Sequence, residues 1–251
     1  MMLREFWLQS VRRGVHPEDR RMLSDLRCVN WSLAEARLRA ATFAKDEHLH
    51  LRLHVNLYPQ PFVGDLSRGL VYILFGNPGF EPTDYDDELD NPAHAAACEA
   101  NLSQTGIGFY PLLSASTTTG AGRYWSGRLR SLVRDLSHRL GWSAAQTEEF
   151  VIKRLVVLEA GAYHSKRHPG DWADELPSSR IAQAFVREVL LPQANRGDAL
   201  LFVWRRASFW GVPESGRGIL YRPPKKAQLK NITAPERDQI VDFMAQRARD
   251  A

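Results

Sequence analysis

The chain has 251 residues, of which 44% are hydrophobic and 25% charged, and this composition excludes a disordered or fibrous protein. Two isolated cysteines, Cys28 and Cys98, make neither a disulfide framework nor a zinc site, which predicts reduced thiols in a cytoplasmic protein. The first residues lack the apolar core of a signal peptide, and no run approaches the roughly 20 apolar residues that span a bilayer, so we expect no membrane association.

The net charge of +4 is distributed in blocks. Six acidic and no basic residues lie between Glu81 and Asp90, five arginines against one aspartate between Arg123 and Leu140, and seven Lys or Arg against one glutamate between Trp204 and Lys230. Such runs are usually solvated faces. Their segregation also favours a localised positive surface that would attract a polyanion.

The first 65 residues are predicted to form a helical extension of a single domain spanning residues 1–251. Trp31–Phe43 has apolar residues at helical spacing, and Ser32 with Glu35 fits a capping box. Leu49–Leu57 alternates apolar and polar residues, which predicts an edge strand. Tyr58–Phe62 contains two prolines and is expected to break regular structure.

The rest of the chain alternates apolar runs with helical patterns. Asn91 and Pro92 are typical of a helix start, as cap and first helical residue. The predicted strands are Gly69–Phe75, Leu155–Leu158, Ala199–Trp204 and Gly218–Tyr221, and the later predicted helices are Arg123–Leu140, Ser143–Lys153, Ser179–Leu190 and Pro235–Ala248. This order predicts an α/β fold, a three-layer α/β/α sandwich with a central, mostly parallel four-stranded sheet. In such folds ligands bind at the carboxyl ends of the strands.

Gly76-Asn77-Pro78-Gly79, directly after the first buried strand, resembles the first motif of the uracil-DNA glycosylase superfamily. Several branches carry Gly-X-Asn-Pro-Gly there, and Phe75 stands at the position of the first glycine. After the fourth strand the family often has His-Pro-Ser, whereas this chain has Arg222-Pro223-Pro224. The resemblance covers about residues 70–232 and implies a fold of that superfamily.

The resemblance also implies site residues. Asn77 would orient the water that attacks the sugar carbon, although Asn-Pro-Gly is also a common turn. His164 would supply the function of the missing motif histidine, or be a buried core histidine. Residues around the base would be Gly76, Pro78, Gly79, Phe80, Phe109, Tyr110 and Ser165, with the aromatic ones alternatively part of the core.

Glu159 ends the second buried strand, where an ionised carboxylate is costly unless it is paired. It stands where the family reads the base edge, and a carboxylate accepts a hydrogen bond from an amine such as N4 of cytosine but repels O4 of uracil. We therefore predict a cytosine-derived base. Alternatives are that Glu159 activates the water, or that it forms a salt bridge with Arg205.

Taken together, these observations predict a monomeric, monofunctional DNA glycosylase that needs no cofactor or metal. It would flip a damaged or modified base and leave an abasic site. Some similar proteins defend against phage whose DNA carries modified cytosine, such as glucosylated hydroxymethylcytosine. A catalytically inactive nucleic-acid-binding module and a nucleotide or nucleoside hydrolase are the alternatives. The predicted DNA contacts are Lys166, Arg167, Arg205, Arg222, Lys225, Lys226 and Lys230.

Overall fold

A computed structural model describes residues 2–24, 26–43, 45–106, 108–226 and 230–250, without the side chains of residues 40, 41 and 43. The helices are α1 Met2–Leu8, α2 Leu33–Phe43, α3 Asp84–Asp90, α4 Pro92–Ser103, α5 Gly120–Leu140, α6 Ala144–Arg154, α7 Pro177–Phe185, α8 Leu191–Arg196, α9 Ala207–Trp210 and α10 Ala234–Arg249. The strands are β1 Cys28–Val29, β2 Leu53–His54, β3 Phe62–Val63, β4 Val71–Leu74, β5 Leu155–Leu158, β6 Leu200–Val203 and β7 Ile219–Tyr221.

The central sheet has the order β3-β5-β4-β6-β7 in the described part of the chain, and β1 and β2 form a separate parallel pair. β5, β4, β6 and β7 are parallel, as the sequence predicts. Every residue of β4, β5 and β6 is buried, because these uninterrupted apolar runs are covered on both faces. The fold is therefore α/β with a mostly parallel sheet.

The sheet has five strands rather than the predicted four. β3 is the additional strand and pairs antiparallel with β5, with Phe62 opposite Leu158. It lies where two prolines, Pro59 and Pro61, predicted irregular structure. An edge strand tolerates nearby prolines because only one of its sides carries ladder hydrogen bonds.

The crossover from β4 to β5 runs in one direction along the sheet, and that from β5 to β6 runs in the other. Right-handed connections therefore place their helices on opposite faces. α5 packs against α6 of the same crossover and against α10, whereas α7 of the second crossover packs against α1. Leu3 and Trp7 of α1 are fully buried in the same core as the sheet, so the first residues are an integral part of this core.

Local capping signals confirm several predicted helix starts. Ser32 and Glu35 form the predicted capping box, and the Asn91 side chain accepts a hydrogen bond from the backbone of His94. By contrast, the predicted strand over Leu49–Leu57 is mostly wrong. Residues Glu47–Leu51 form a 3-10 helix, and within the predicted range only Leu53–His54 forms a strand.

Among the described residues, none of the helices combines the length and apolar character that crossing a membrane requires.

Candidate active site

Asn77, Glu159 and Arg205 follow three adjacent parallel strands, β4, β5 and β6. Leu74, at the end of β4, is opposite both Leu158 and Val203, so the three strands end in register. Hydrogen bonds continue beyond the strands, from Gly161 N to Gly76 O at 2.9 Å and from Arg205 N to Leu74 O at 3.1 Å. The three polar residues therefore meet at the carboxyl edge of the sheet, where ligands bind in this class of fold.

The side-chain amide of Asn77 is held in one orientation. Its Nδ2 donates to the backbone oxygens of Pro78 at 2.9 Å and Ser165 at 2.8 Å, and to Ser165 Oγ at 2.9 Å. Two carbonyl acceptors identify this end of the amide as the nitrogen. Oδ1 accepts no hydrogen bond from the described residues, and the side chain is half-buried, so the carbonyl oxygen is the end left for a water or a ligand.

Glu159 is 6% exposed, and its Oε2 is buried with no hydrogen-bond partner among the described residues. Burial raises the pKa of the Glu159 carboxyl well above its usual value, and the positive charge of Arg205 only partly opposes this. The salt bridge to Arg205 considered above is not formed, since Glu159 Oε2 and Arg205 Nε are both buried without a hydrogen-bond partner among the described residues. A buried carboxyl without a direct partner is costly, and this is common at functional sites.

Arg205 instead lies with its guanidinium carbon 4.6 Å above the ring of Phe75. Arg128 of α5 stacks on the Tyr124 ring at 3.2 Å. The Trp125 ring joins the two pairs, because it packs on both Phe75 and Tyr124. The first turns of α5 thus place Tyr124 and Arg128 at the carboxyl edge of the sheet, a contact that the helical pattern alone did not reveal.

His168 lies beside Asn77 and was not among the predicted site residues. Gly161 separates them, and a methyl group on it would lie 3.9 Å from Asn77 Cβ and from His168 Nε2. His168 Nδ1 accepts a hydrogen bond from Gly170 N at 3.3 Å, so in the neutral ring Nε2 carries the proton. The signal present in the sequence was His168-Pro169, the start of His-Pro-Ser, but in a different loop.

Burial and the neighbouring Arg206 lower the pKa of His168 to about 4. His168 Nε2 lies 3.5 Å from Asp174 Oδ1, but Asp174 also pairs with Arg206. Arg206 has a left-handed backbone with φ of +55°, a strained conformation of the kind found at functional sites. His168 is therefore a neutral hydrogen-bond donor at physiological pH.

His164 has a structural position. Its Nδ1 lies 2.8 Å from Gly79 O and its Nε2 3.2 Å from Tyr58 O. Burial lowers its pKa to about 4. Because both ring nitrogens face backbone carbonyls, the ring is not available to a substrate, and the predicted catalytic role does not fit. Ser165, fully buried, contacts Asn77 rather than open space.

The aromatic residues predicted to stack on the base lie in the core. Phe109 and Tyr110 are 0% exposed, and Phe109 packs edge-on against Trp125. Phe80 stacks on His54 with ring centres 3.5 Å apart and is also buried. The aromatic ring that the structure does bring to the site is Tyr124, which is half-buried.

The predicted DNA contacts separate into two groups. Arg222 is 1% exposed, pairs with Glu236 at 2.5 Å, and lies 4.4 Å above the Trp204 ring, so it cannot contact a phosphate. Arg222 directly follows β7, so it lies at the end of the sheet rather than on the loop that comes after it. The second group is exposed and consists of Lys166, Arg167, Lys225, Lys226 and Lys230.

A cavity of about 630 Å³ lies elsewhere. Asp65 and Arg68 precede β4, and Ile152 and Lys153 precede β5, so the residues lining it are at the amino edge of the sheet. It is therefore separate from the Asn77 site. The described residues contain no group of three or more His, Cys, Asp or Glu side chains that could hold a metal ion.

Comparisons with protein-family models, with curated proteins and with solved structures found no match for this chain.

Proposed function

We propose that the protein is a monofunctional DNA glycosylase that hydrolyses the N-glycosidic bond of a flipped nucleotide. One observation carries the proposal. The Asn77 amide nitrogen is fixed by two backbone carbonyls, and no described residue donates to its Oδ1, at an edge shared with Glu159 and His168. A fixed carbonyl oxygen is suited to orient a water by accepting a hydrogen bond from it.

The chemistry follows from this arrangement. The oxygen of the held water adds to the C1′ atom, and the electron pair of the N-glycosidic bond leaves with the base. Negative charge builds on the departing base, so groups that donate hydrogen bonds to it lower the barrier. One proton of the water remains on the new C1′ hydroxyl of the abasic sugar. The other passes to solvent, and the departing base takes up one proton, so the reaction balances.

His168 is the donor that we propose for the departing base, in place of His164. Its Nε2 lies across Gly161 from Asn77 and is buried without a hydrogen-bond partner among the described residues, and its low pKa keeps the ring neutral. A neutral imidazole donates a hydrogen bond without giving up a proton readily. Glu159, whose raised pKa favours the acid form, supplies a second donor that can transfer its proton to the base.

The state of Glu159 also affects which base is accepted. As a carboxylate it would accept from the N4 amine of cytosine and repel O4 of uracil. As a neutral acid it both donates and accepts, and can match N3 and N4 of cytosine or, turned over, O4 and N3 of uracil. We retain a cytosine-derived base as the proposed substrate, with discrimination against uracil expected to increase as pH rises and Glu159 ionises.

Base release from a panel of duplexes tests the proposal. The duplexes contain uracil, thymine mismatches, hypoxanthine, hydroxymethylcytosine or glucosylated hydroxymethylcytosine, and alkali reveals abasic sites. Asn77→Ala and His168→Gln are expected to reduce release about 100-fold or more. Asn195→Ala, an exposed asparagine on α8, is the matched control and should behave as wild type.

The same experiment separates the alternatives. Salt-dependent binding of duplex without release of any base would support an inactive nucleic-acid-binding module instead. Cleavage of mononucleotides that does not depend on salt would support a nucleotide or nucleoside hydrolase. Release that survives Asn77→Ala unchanged would show that Asn77 does not hold the water.

A further inference from the structure

Arg128 and Arg205 form a cationic pair beside the candidate site. Their guanidinium groups are linked through the ring chain of Phe75, Trp125 and Tyr124 described above. Both arginines are half-buried, and the Nε atom of each is buried without a hydrogen-bond partner in the described part of the chain. Each has donors in a fixed planar fork, the geometry that matches phosphate or carboxylate oxygens.

This pair has no counter-charge within the described residues. Arg128 donates to the backbone oxygen of Tyr124 and forms no ion pair. The one acid on α5, Asp135, pairs with Arg134 and Arg237. Glu159 is close enough for Arg205 to affect its ionisation, but burial favours its uncharged form.

Two neighbouring cations with no anion between them repel each other, and burial strengthens that repulsion. Arg205 accordingly lowers the pKa of Arg128, after the larger effect of burial. An anion bound beside the two guanidinium groups would relieve this cost. A neutral acid at Glu159 allows an anion to lie close by, whereas a carboxylate there would oppose it.

We propose that Arg128 and Arg205 bind a phosphate group of the substrate nucleotide. This rests on the proposed function, because a flipped nucleotide brings a backbone phosphate next to the sugar whose C1′ atom is attacked. The exposed lysines would contact phosphates in solvent, whereas this pair would hold one partly desolvated phosphate and so position the nucleotide. The same chemistry would bind the phosphate of a free nucleotide, and the experiment distinguishes the two sources.

Binding is measured by fluorescence anisotropy with duplexes that contain one tetrahydrofuran abasic nucleotide, so no catalysis is needed. The phosphates around that nucleotide are replaced one at a time by uncharged methylphosphonate. For wild type, one replacement is expected to raise Kd about tenfold or more. For the Arg128→Gln, Arg205→Gln double variant, the same replacement should raise Kd less than twofold.

Arg130→Gln, an exposed arginine on the same helix, is the matched control and should keep the wild-type methylphosphonate penalty. The double variant Arg128→Lys, Arg205→Lys keeps both charges but loses the planar fork of donors. It should therefore show only part of the wild-type methylphosphonate penalty. If the double variant does not fold, the lysine variant provides the comparison. An equal penalty in wild type and in the variants would overturn the proposal.

Thymidine 5′-monophosphate provides the second arm. Binding to wild type that is lost in the double variant, without any methylphosphonate effect on duplex, would support the phosphate subsite and assign it to a free nucleotide. That result would overturn the DNA glycosylase proposal. Base release that is unchanged in the double variant would support the DNA glycosylase proposal and overturn the phosphate subsite.

Discussion

Glu159→Gln is expected to gain stability relative to wild type as the pH increases, so the difference in unfolding free energy between the two proteins should grow with pH. The side chain is 6% exposed, and burial raises its pKa well above the usual 4.5. Between pH 4.5 and that raised pKa, the folded state keeps a proton that the unfolded state has released, so wild-type stability falls as pH rises. The slope approaches about 1.4 kcal/mol per pH unit when the two states differ by one proton. Glutamine cannot ionise and removes this contribution.

The assay is urea unfolding of wild type and Glu159→Gln at pH 5, 6, 7 and 8. The difference in unfolding free energy between the two proteins should grow with pH, whatever its value at pH 5. Glu188→Gln, at an exposed position, should show no such trend. Parallel pH profiles for wild type and Glu159→Gln would refute the reasoning, because they would mean that Glu159 ionises in the folded protein as it does in the unfolded chain.

Three further outcomes follow from the geometry. Glu236→Ala removes the carboxylate that pairs with buried Arg222, and should cost about 3–5 kcal/mol in chemical denaturation, so a loss below about 1 kcal/mol would contradict it. Ser165→Ala removes one acceptor of the Asn77 amide, and should lower kcat about tenfold with KM unchanged, whereas a changed KM alone would indicate a substrate contact. His168 is neutral above a pKa of about 4, so wild-type base release should show no titration of this histidine between pH 5 and 8, and His168→Gln should lower the rate without moving that part of the pH profile.

Local physical chemistry in the sequence was sufficient for much of the fold. Uninterrupted apolar runs predicted β4 and β5, because only a strand covered on both faces tolerates them. Gly141, with φ of +68°, ends α5 as predicted, and Ser143 caps α6. Each of these features depends on a few consecutive residues, so the sequence carries it completely.

Sequence patterns were a poorer guide to the segment that precedes β4. Leu49–Leu57 alternates like a strand, but the side chain of Asp46 caps a 3-10 helix at its start. The pairing of Phe62 with Leu158 is a contact across almost one hundred residues, and no local pattern specifies it. In the first case a local capping hydrogen bond overrides the alternation, and in the second an interaction that forms only in the folded chain adds a strand.

For the candidate site, too, the sequence predicted one part and the tertiary structure decided the rest. The sequence by itself determined that Asn77 and Glu159 follow buried parallel strands, and hence that both lie at the carboxyl edge of the sheet. Only the tertiary structure decided what surrounds them. It turned His164 toward two backbone carbonyls, buried Arg222 against Glu236, and brought His168 beside Asn77. The physical reason is that hydrogen bonds and burial of a side chain depend on neighbours that are distant in sequence, whereas strand ends are fixed by the local apolar pattern.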